Sequence, residues 1–193
     1  MPLSAPQPRQ ERHHRRIDMR GYRRDDGLWD IEGVLRDVKA YEFSSEFRGT
    51  VSPGTPLHDM WIRLTVDETL TVRDVEVAMD ANPHAVCPAI VPAFAKLKGL
   101  RIAPGWNRKV RELLGGVRGC THLVEMLGPL ATVAYQSIGV SRVPTADGGT
   151  LGAPADPARK PKRIDSCHAL AADGEVVRKR WPAFYSGQDK PKA

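Results

Sequence analysis

Apolar and polar residues alternate most regularly between Leu57 and Asp80. The apolar positions are Met60, Ile62, Leu64 and Val66, followed after a turn by Leu70, Val72, Val75 and Val77. A period of two is typical of a strand that buries one face. The pattern therefore predicts two strands joined by a turn at Asp67-Glu68, with an irregular register near Arg73-Asp74.

Two earlier segments also have strand character. Residues 15–22 look extended, and residues 29–40 alternate between an apolar face that begins at Trp29 and a more polar face. The Asp26-Gly27 pair between them is a hairpin signal, because glycine readily adopts the positive φ angle that such turns need. Residues 44–56, rich in Ser, Gly and Pro, are predicted to form a loop. Four successive strands with short connections indicate an antiparallel meander.

The second half of the chain has helical spacing. A short helix is predicted to begin around residues 89–92 and to end at Gly99, because prolines interrupt the stretch before it. A second helix lies between Gly105 and Gly115, and a long third helix follows Cys120 and contains Pro129, which should kink it or remove one hydrogen bond. The predicted fold class is α+β, with an antiparallel four-stranded meander sheet packed against about three helices.

Changes in composition divide the chain into segments. Residues 1–14 are interpreted as a disordered basic arm and residues 15–140 as the α+β core domain. Residues 141–164 are rich in Pro, Gly and Ala and are interpreted as a linker or lid. Residues 165–185 are expected to pack on the core, and residues 186–193 to form a tail.

The charge and cysteine content restrict the function class. A net charge of +6 allows phosphate binding, but an aromatic content of 6% is low for stacking on single-stranded nucleic acid, so we expect no nucleic-acid partner. No apolar run reaches the roughly 20 residues that a membrane span needs, and the first residues lack a signal-peptide centre. Three dispersed cysteines form a poor disulfide framework. These features predict a cytoplasmic protein.

Cys120, His122 and Glu125 form the densest polar cluster in the sequence. His122 and Glu125 are three residues apart on one helix face, so the carboxylate could orient the imidazole for proton transfer. Cys120 would lie at the positive end of the helix dipole. The alternative is a helix start in which Thr121 caps the helix, Cys120 is buried and Glu125 complements the dipole.

His58 and Asp59 begin the third predicted strand. His58 has the parity of Met60 and should face inward, as either a satisfied core residue or a general base, whereas Asp59 should face outward. The other histidines and cysteines lack the paired spacing of zinc ligands, so no metal site is predicted. His13 and His14 are interpreted as solvated residues of the arm.

A cationic pocket with aromatic walls is the candidate substrate site. Its predicted members are Arg101, Arg118, Trp29, Trp61 and Trp106. Arginine offers a planar, bidentate match to a carboxylate, so such a pocket would suit an aromatic acid. The alternative is surface arginine and core tryptophan. The chain contains no phosphate loop, dinucleotide fingerprint or HExxH motif.

Long strings in the chain resemble the bacterial family DUF2889. They are YRRDDGLWDIEG, HDMWIRLTVDETLTVRDVEVAMDANPH, GLRIAPGWNRKVRELLGGVRGCTHLVEMLGPLATVAYQ and CHALAADGEVVRKRWP. The resemblance covers nearly all of residues 15–182. It implies the fold and an association with the bacterial breakdown of aromatic compounds, including the cofactor-independent loss of formaldehyde from lignin-derived dimers.

The order of elements is also similar to that of iron–sulfur scaffold proteins of the IscU type. Cys87 follows a strand hairpin and Cys120 opens a helix, as cysteines do in those scaffolds. The loop at residues 44–56 has no cysteine where such a scaffold would have one.

The preferred hypothesis is a cofactor-independent carbon–carbon lyase that acts on an aromatic, anionic small molecule. His58 or His122 would be the base, Glu125 or Asp59 would orient it, and Arg101 or Arg118 would hold the anion. The alternatives are a non-catalytic module that binds a ligand or docks a partner, and a metal or iron–sulfur scaffold. The sequence allows a homodimer as well as a monomer.

Overall fold

The computed structural model describes residues 3–140, 160–161 and 163–187. The chain divides into two compact units, Met1–Ser141 and Arg142–Ala193. The predicted linker or lid at residues 141–164 lies almost entirely outside the described residues. The packing of residues 165–185 on the core stays a prediction.

The first unit contains the predicted antiparallel sheet of four strands. Its strands are β1 (His13–Arg23), β2 (Trp29–Lys39), β5 (Pro56–Val66) and β6 (Val72–Ala81). Their order in the sheet is β1-β2-β5-β6, and every neighbouring pair is antiparallel. This confirms the α+β class. It also shows that β1 begins within the segment interpreted as a disordered arm.

The prediction of a plain loop at residues 44–56 is wrong. This segment takes part in a small separate hairpin of β3 (Phe43–Ser45) and β4 (Gly49–Val51). Gly49 has a φ of +66°, a conformation that glycine adopts without a Cβ clash. Because the hairpin connects β2 to β5, it lies at the end of the sheet where β2 finishes and β5 starts.

The sequence predicts a short α-helix that begins around residues 89–92 and ends at Gly99, but the structure has a 3-10 helix in this segment. This element spans Cys87–Leu97 and contains Pro88 near its start and Pro92 inside it. Proline has no N–H to donate to the carbonyl four residues before it, which explains why regular α-helix is absent here. The predicted helices α1 (Trp106–Leu114) and α2 (Thr121–Val140) are both present, and Pro129 lies inside α2.

The inner face of the sheet packs against α2, which contacts β1, β2 and β5. Gly33 of β2 allows this close approach, because a Cβ atom there would lie 3.2 Å from Leu130 Cδ2. The core is built from the inner face and the helices, with Ile31, Leu35, Met60, Ile62, Leu64, Phe94, Leu97, Leu114, Leu123, Met126, Leu127 and Leu130 fully buried.

The described part of the second unit contains only short elements. It contains 3-10 turns at His168–Leu170 and Pro182–Phe184 and the helix α3 (Glu175–Arg180), with Ile164 and Val177 buried. Within the parts of the chain that the structure covers, we find no helix with the length and apolar character that crossing a bilayer requires.

Candidate functional site

Polar residues, of which Asp37 and His58 are buried, gather at one end of the otherwise apolar inner face of the sheet. Arg15 of β1 pairs in register with Asp37 of β2, and Asp37 pairs with His58 of β5. These positions share the parity of Leu35 and Met60, so their side chains point toward α2. A β-bulge follows Asp37 and marks the end of the regular ladder.

Asp37 is the centre of this group and is only 1% exposed. Arg15 Nε and Nη2 donate to its two carboxylate oxygens at 2.8 Å each, and His58 Nδ1 lies 2.8 Å from Oδ2. Burial alone would raise the pKa of Asp37, but the hydrogen bonds and charges of Arg15 and His58 outweigh it and hold the pKa at about 2. Asp37 is therefore ionised at neutral pH.

The ionised carboxylate decides the tautomer of His58. Because Asp37 can only accept, Nδ1 of His58 carries the proton and Nε2 keeps its lone pair. His58 is 7% exposed, and its Nε2 is buried with no hydrogen-bond partner among the described residues. Burial and then the neighbouring His122 lower the pKa of His58, which favours the neutral ring.

His122 brings a second imidazole to the site from the first turn of α2. Its ring centroid lies 3.8 Å from that of His58, with an angle of 36° between the rings. Burial and then the charge of Arg15 lower the pKa of His122, so this ring is also neutral at neutral pH. Two neutral imidazoles are thus in contact beside an ionised carboxylate.

Glu125 does not hold His122 in this structure. Its Oε2 accepts a hydrogen bond of 2.7 Å from Arg15 Nη1, so Arg15 links Asp37 in the sheet to Glu125 in the helix. The partner within reach of His122 Nδ1 is Cys120, whose Sγ lies at 3.8 Å. Val124 N donates to Cys120 O, which places Cys120, rather than Thr121, at the cap position of α2.

Asp59 lies on the other face of the sheet from His58. It accepts hydrogen bonds from Nε and Nη2 of Arg36, its cross-strand neighbour, and therefore does not orient His58. His13, in contrast, is not simply solvated as predicted. Its Nε2 lies 3.3 Å from Asp37 Oδ1, because His13 has the same parity as Arg15.

The five residues predicted to bind a substrate do not form one pocket. Trp29 pairs with Val66 at the far end of β2, and Arg101 donates to Thr69 O beside the turn between β5 and β6. Trp61 is on the outer face, in a depression that Arg63 also lines. Trp106 lies in the core and donates to Leu127 O. Arg118 lies just before α2 and donates to Arg111 O.

Sequence reasoning missed Arg15, Asp37 and His13. A usable signal exists for Asp37, because it continues the inward parity of Trp29, Ile31, Gly33 and Leu35. A carboxylate at an inward position needs a partner, since burying an unpaired charge is costly. Arg15 and His13 have no comparable signal, because β1 is exposed along almost its whole length.

Three potential metal ligands lie together in this site. Asp37, His58 and His122 each offer an atom, and these atoms lie within 4.8 Å of one another. The group includes none of the three cysteines, which are all free in the described part of the chain. The scaffold of the IscU type stays an alternative that the sequence raises.

The geometry can be compared with known proteins. The family model described as "Protein of unknown function (DUF2889)" matches residues 13–136. This range includes all the residues of the site described above, which are His13, Arg15, Asp37, His58, His122 and Glu125. The chain belongs to the DUF2889 family. No solved structure matches it.

Curated relatives of this DUF2889 protein include two described as glycerol kinase. The one from Burkholderia ambifaria (strain MC40-6) is 36% identical over 90 residues, which cover 46% of this chain and 17% of that protein. The one from Burkholderia pseudomallei (strain K96243) is 34% identical over 122 residues, which cover 63% of this chain and 22% of that protein. The chain thus spans about a fifth of the length of these relatives.

Proposed function

We propose that this DUF2889 protein is a cofactor-independent carbon–carbon lyase that acts on an aromatic, anionic compound and releases formaldehyde from a hydroxymethyl group. The observation that carries the proposal is the buried pair of Asp37 and His58. One nitrogen of His58 is held by the carboxylate, and the other is a buried lone pair without a partner among the described residues. This is the arrangement that a general base requires.

The division of roles follows from the contacts. His58 Nε2 is the base, and Asp37 orients the ring and stabilises the imidazolium that forms when His58 takes a proton. Arg15 is a positioning residue, since it holds Asp37 with two hydrogen bonds. His122 contacts the His58 ring and is a second neutral acceptor for the proton.

The reaction balances without an oxidant or reductant. In an aryl-substituted 1,3-diol, His58 removes the proton of the hydroxymethyl oxygen, and the bond between that carbon and its neighbour breaks to give formaldehyde. The released electron pair forms a carbon–carbon double bond, and the oxygen on the next carbon departs. The imidazolium returns its proton to that oxygen, so the products are formaldehyde, an alkene and water.

Arg118 is the predicted anion holder that fits this site best, because it lies just before α2, whereas Arg101 lies at the opposite end of the sheet. We further place the protein in the cytoplasm. Its three free cysteines fit a reducing compartment.

The test is formaldehyde release by protein treated with EDTA. A panel of lignin-type aromatic dimers with a hydroxymethyl group is compared with matched compounds that lack it. We expect release from the first set alone, and a loss of roughly 10²–10⁴-fold in His58→Gln, the range that general-base catalysis contributes. The exposed His84 provides the matched control, His84→Gln, which should retain activity.

Two results would contradict the proposal. One is no formaldehyde from any compound of the panel, and the other is full activity in His58→Gln. If the compounds bind without turnover, and bind equally to the His58→Gln variant, the non-catalytic binding module becomes the better explanation.

A further inference from the structure

We infer that His58 and His122 form a site for one divalent transition ion of borderline softness, such as Zn²⁺ or Co²⁺, and that the bound ion blocks the proposed base. The binding is independent of the lyase reaction. Only the inhibition rests on the proposed function.

Ligand atoms from separate elements of the fold converge at this site. His58 and His122 come from a strand and a helix, yet they and Asp37 offer ligand atoms within 4.8 Å of one another. A tilt of 36° between the two rings, at a centroid distance of 3.8 Å, keeps them from stacking flat. Zinc–nitrogen bonds are about 2.0–2.1 Å long, so two imidazoles that bind one ion have their ring centroids about 5 Å apart. Binding therefore requires the two rings to move apart from their present contact.

One ring nitrogen of His58 has no hydrogen-bond partner among the described residues. His58 Nε2 is buried and accepts no hydrogen bond from the described residues, so its lone pair is free to bind a cation. The opposite nitrogen donates to Asp37. A histidine that binds metal through one nitrogen and donates to a carboxylate through the other is the usual arrangement in zinc sites.

Asp37 supports this site without being a ligand. Arg15 donates to both of its oxygens, so direct coordination by Asp37 would compete with these charge-assisted hydrogen bonds. The positive charge of Arg15 would repel a cation, but Arg15 also pairs with Glu125. One guanidinium therefore faces two carboxylates, so its positive charge is shared between Asp37 and Glu125.

The ligand type selects the ion. Imidazole nitrogens suit zinc, cobalt, nickel and copper, whereas magnesium and calcium prefer oxygen ligands in larger number. With Asp37 held by Arg15, the described site offers two imidazole nitrogens and no free carboxylate oxygen. Coordination positions not taken by the protein would be filled by water, as in zinc sites with an open position.

The test uses tag-free protein that has been treated with EDTA and dialysed. It is titrated with Zn²⁺ by calorimetry and with Co²⁺ by visible absorption, and Mg²⁺ provides the comparison. We expect one site per chain for Zn²⁺ and Co²⁺ and none for Mg²⁺. His58→Gln and His122→Gln should each abolish this site, and His84→Gln should keep it. Asp37→Asn should weaken it by roughly 10–100-fold, the usual effect of removing the outer partner of a ligand histidine.

Circular dichroism of each variant shows whether it is folded, and His122→Gln replaces a half-buried side chain, which makes it the variant more tolerant of change. Unchanged zinc binding in folded His122→Gln would overturn the inference, as would the absence of a single tight site in the unmodified protein.

The two proposals fail separately. Formaldehyde release in EDTA, together with no zinc site, would remove the metal inference alone. One zinc per chain, together with no turnover of any substrate, would remove the lyase alone. If both stand, one equivalent of Zn²⁺ should suppress formaldehyde release and EDTA should restore it, whereas Mg²⁺ should have no effect.

Discussion

His58 of β5 and His122 of α2 face each other with their ring centroids 3.8 Å apart. The sheet supplies one ring together with its carboxylate partner, and the helix supplies the other. This contact therefore depends on how α2 docks on the sheet. Changes that loosen the docking should disturb the site even where they touch neither ring.

Arg15 is expected to stabilise the docking of α2, because it joins Asp37 to Glu125. Arg15→Gln removes these charge-assisted hydrogen bonds and leaves a buried carboxylate without its cationic partner. We expect a loss of about 1–3 kcal/mol in the free energy of unfolding, measured by urea denaturation. Arg16→Gln, on the other face of β1, is the control and should change stability by less than about 0.5 kcal/mol. Equal effects of the two substitutions would contradict the role given to Arg15.

Asp37 should make the protein sensitive to acid. Its pKa is about 2 in the folded state, below the ordinary value of 3.8. A carboxyl group with a lowered folded-state pKa contributes stability that is present above its unfolded-state pKa and is lost as the pH falls through its folded-state pKa. We expect a loss of about 2 kcal/mol between roughly pH 5 and pH 2 from this group.

The measurement is the urea midpoint of metal-free protein across that pH range, compared with Asp37→Asn. The variant should be less stable at neutral pH and should lose less stability on acidification. Parallel pH profiles for the two proteins would show that the Asp37 carboxylate does not contribute in this way. Asp80→Asn, at an exposed position, provides the matched control.

Gly33 should be intolerant of a larger side chain. A Cβ atom at this position would lie 3.2 Å from Leu130 Cδ2, and the γ-methyl groups of valine would reach further into α2. Valine favours strands, yet we expect Gly33→Val to destabilise the protein by about 1–3 kcal/mol, as overpacking does. Gly33→Ala should be much milder. If Gly33→Val were stabilising in thermal unfolding, α2 would not pack closely on β2.

The tryptophans should differ in their contribution to stability. Trp106 is buried and its Nε1 donates to Leu127 O at 2.9 Å, whereas Trp61 is 41% exposed on the outer face. Trp106→Phe removes this hydrogen bond and part of a buried ring, and should cost about 1–3 kcal/mol. Trp61→Phe should be close to neutral. Similar melting temperatures for the two variants would contradict a core role for Trp106.

Much of the architecture could be predicted because it follows from local patterns. Alternation identified β2, β5 and β6, and helical spacing with flanking glycines identified α1. Two segments differ from their predictions, because their conformation depends on features that the hydrophobic pattern does not show. Two short strands are hidden in a loop-like composition at residues 43–51, and prolines convert residues 87–97 to 3-10 helix.

The candidate site was predicted in part. His58 and His122 were singled out, and the structure brings them together. Glu125 and Asp59 were expected to orient them, but these carboxylates bind Arg15 and Arg36 instead. The orienting carboxylate is Asp37, whose inward parity is visible in the sequence while its neighbours across the sheet are not.

The sequence by itself determined the four long strands, the helices α1 and α2 and the face on which each residue of these strands lies, because these depend on spacing within a few residues. Only the tertiary structure decided which inward residues meet. A register shift of two residues keeps every side chain on its face but gives Asp37 a different partner from His58, so periodicity alone cannot distinguish the two pairings. The docking of α2, made possible by Gly33 and the apolar core, then placed His122 against His58.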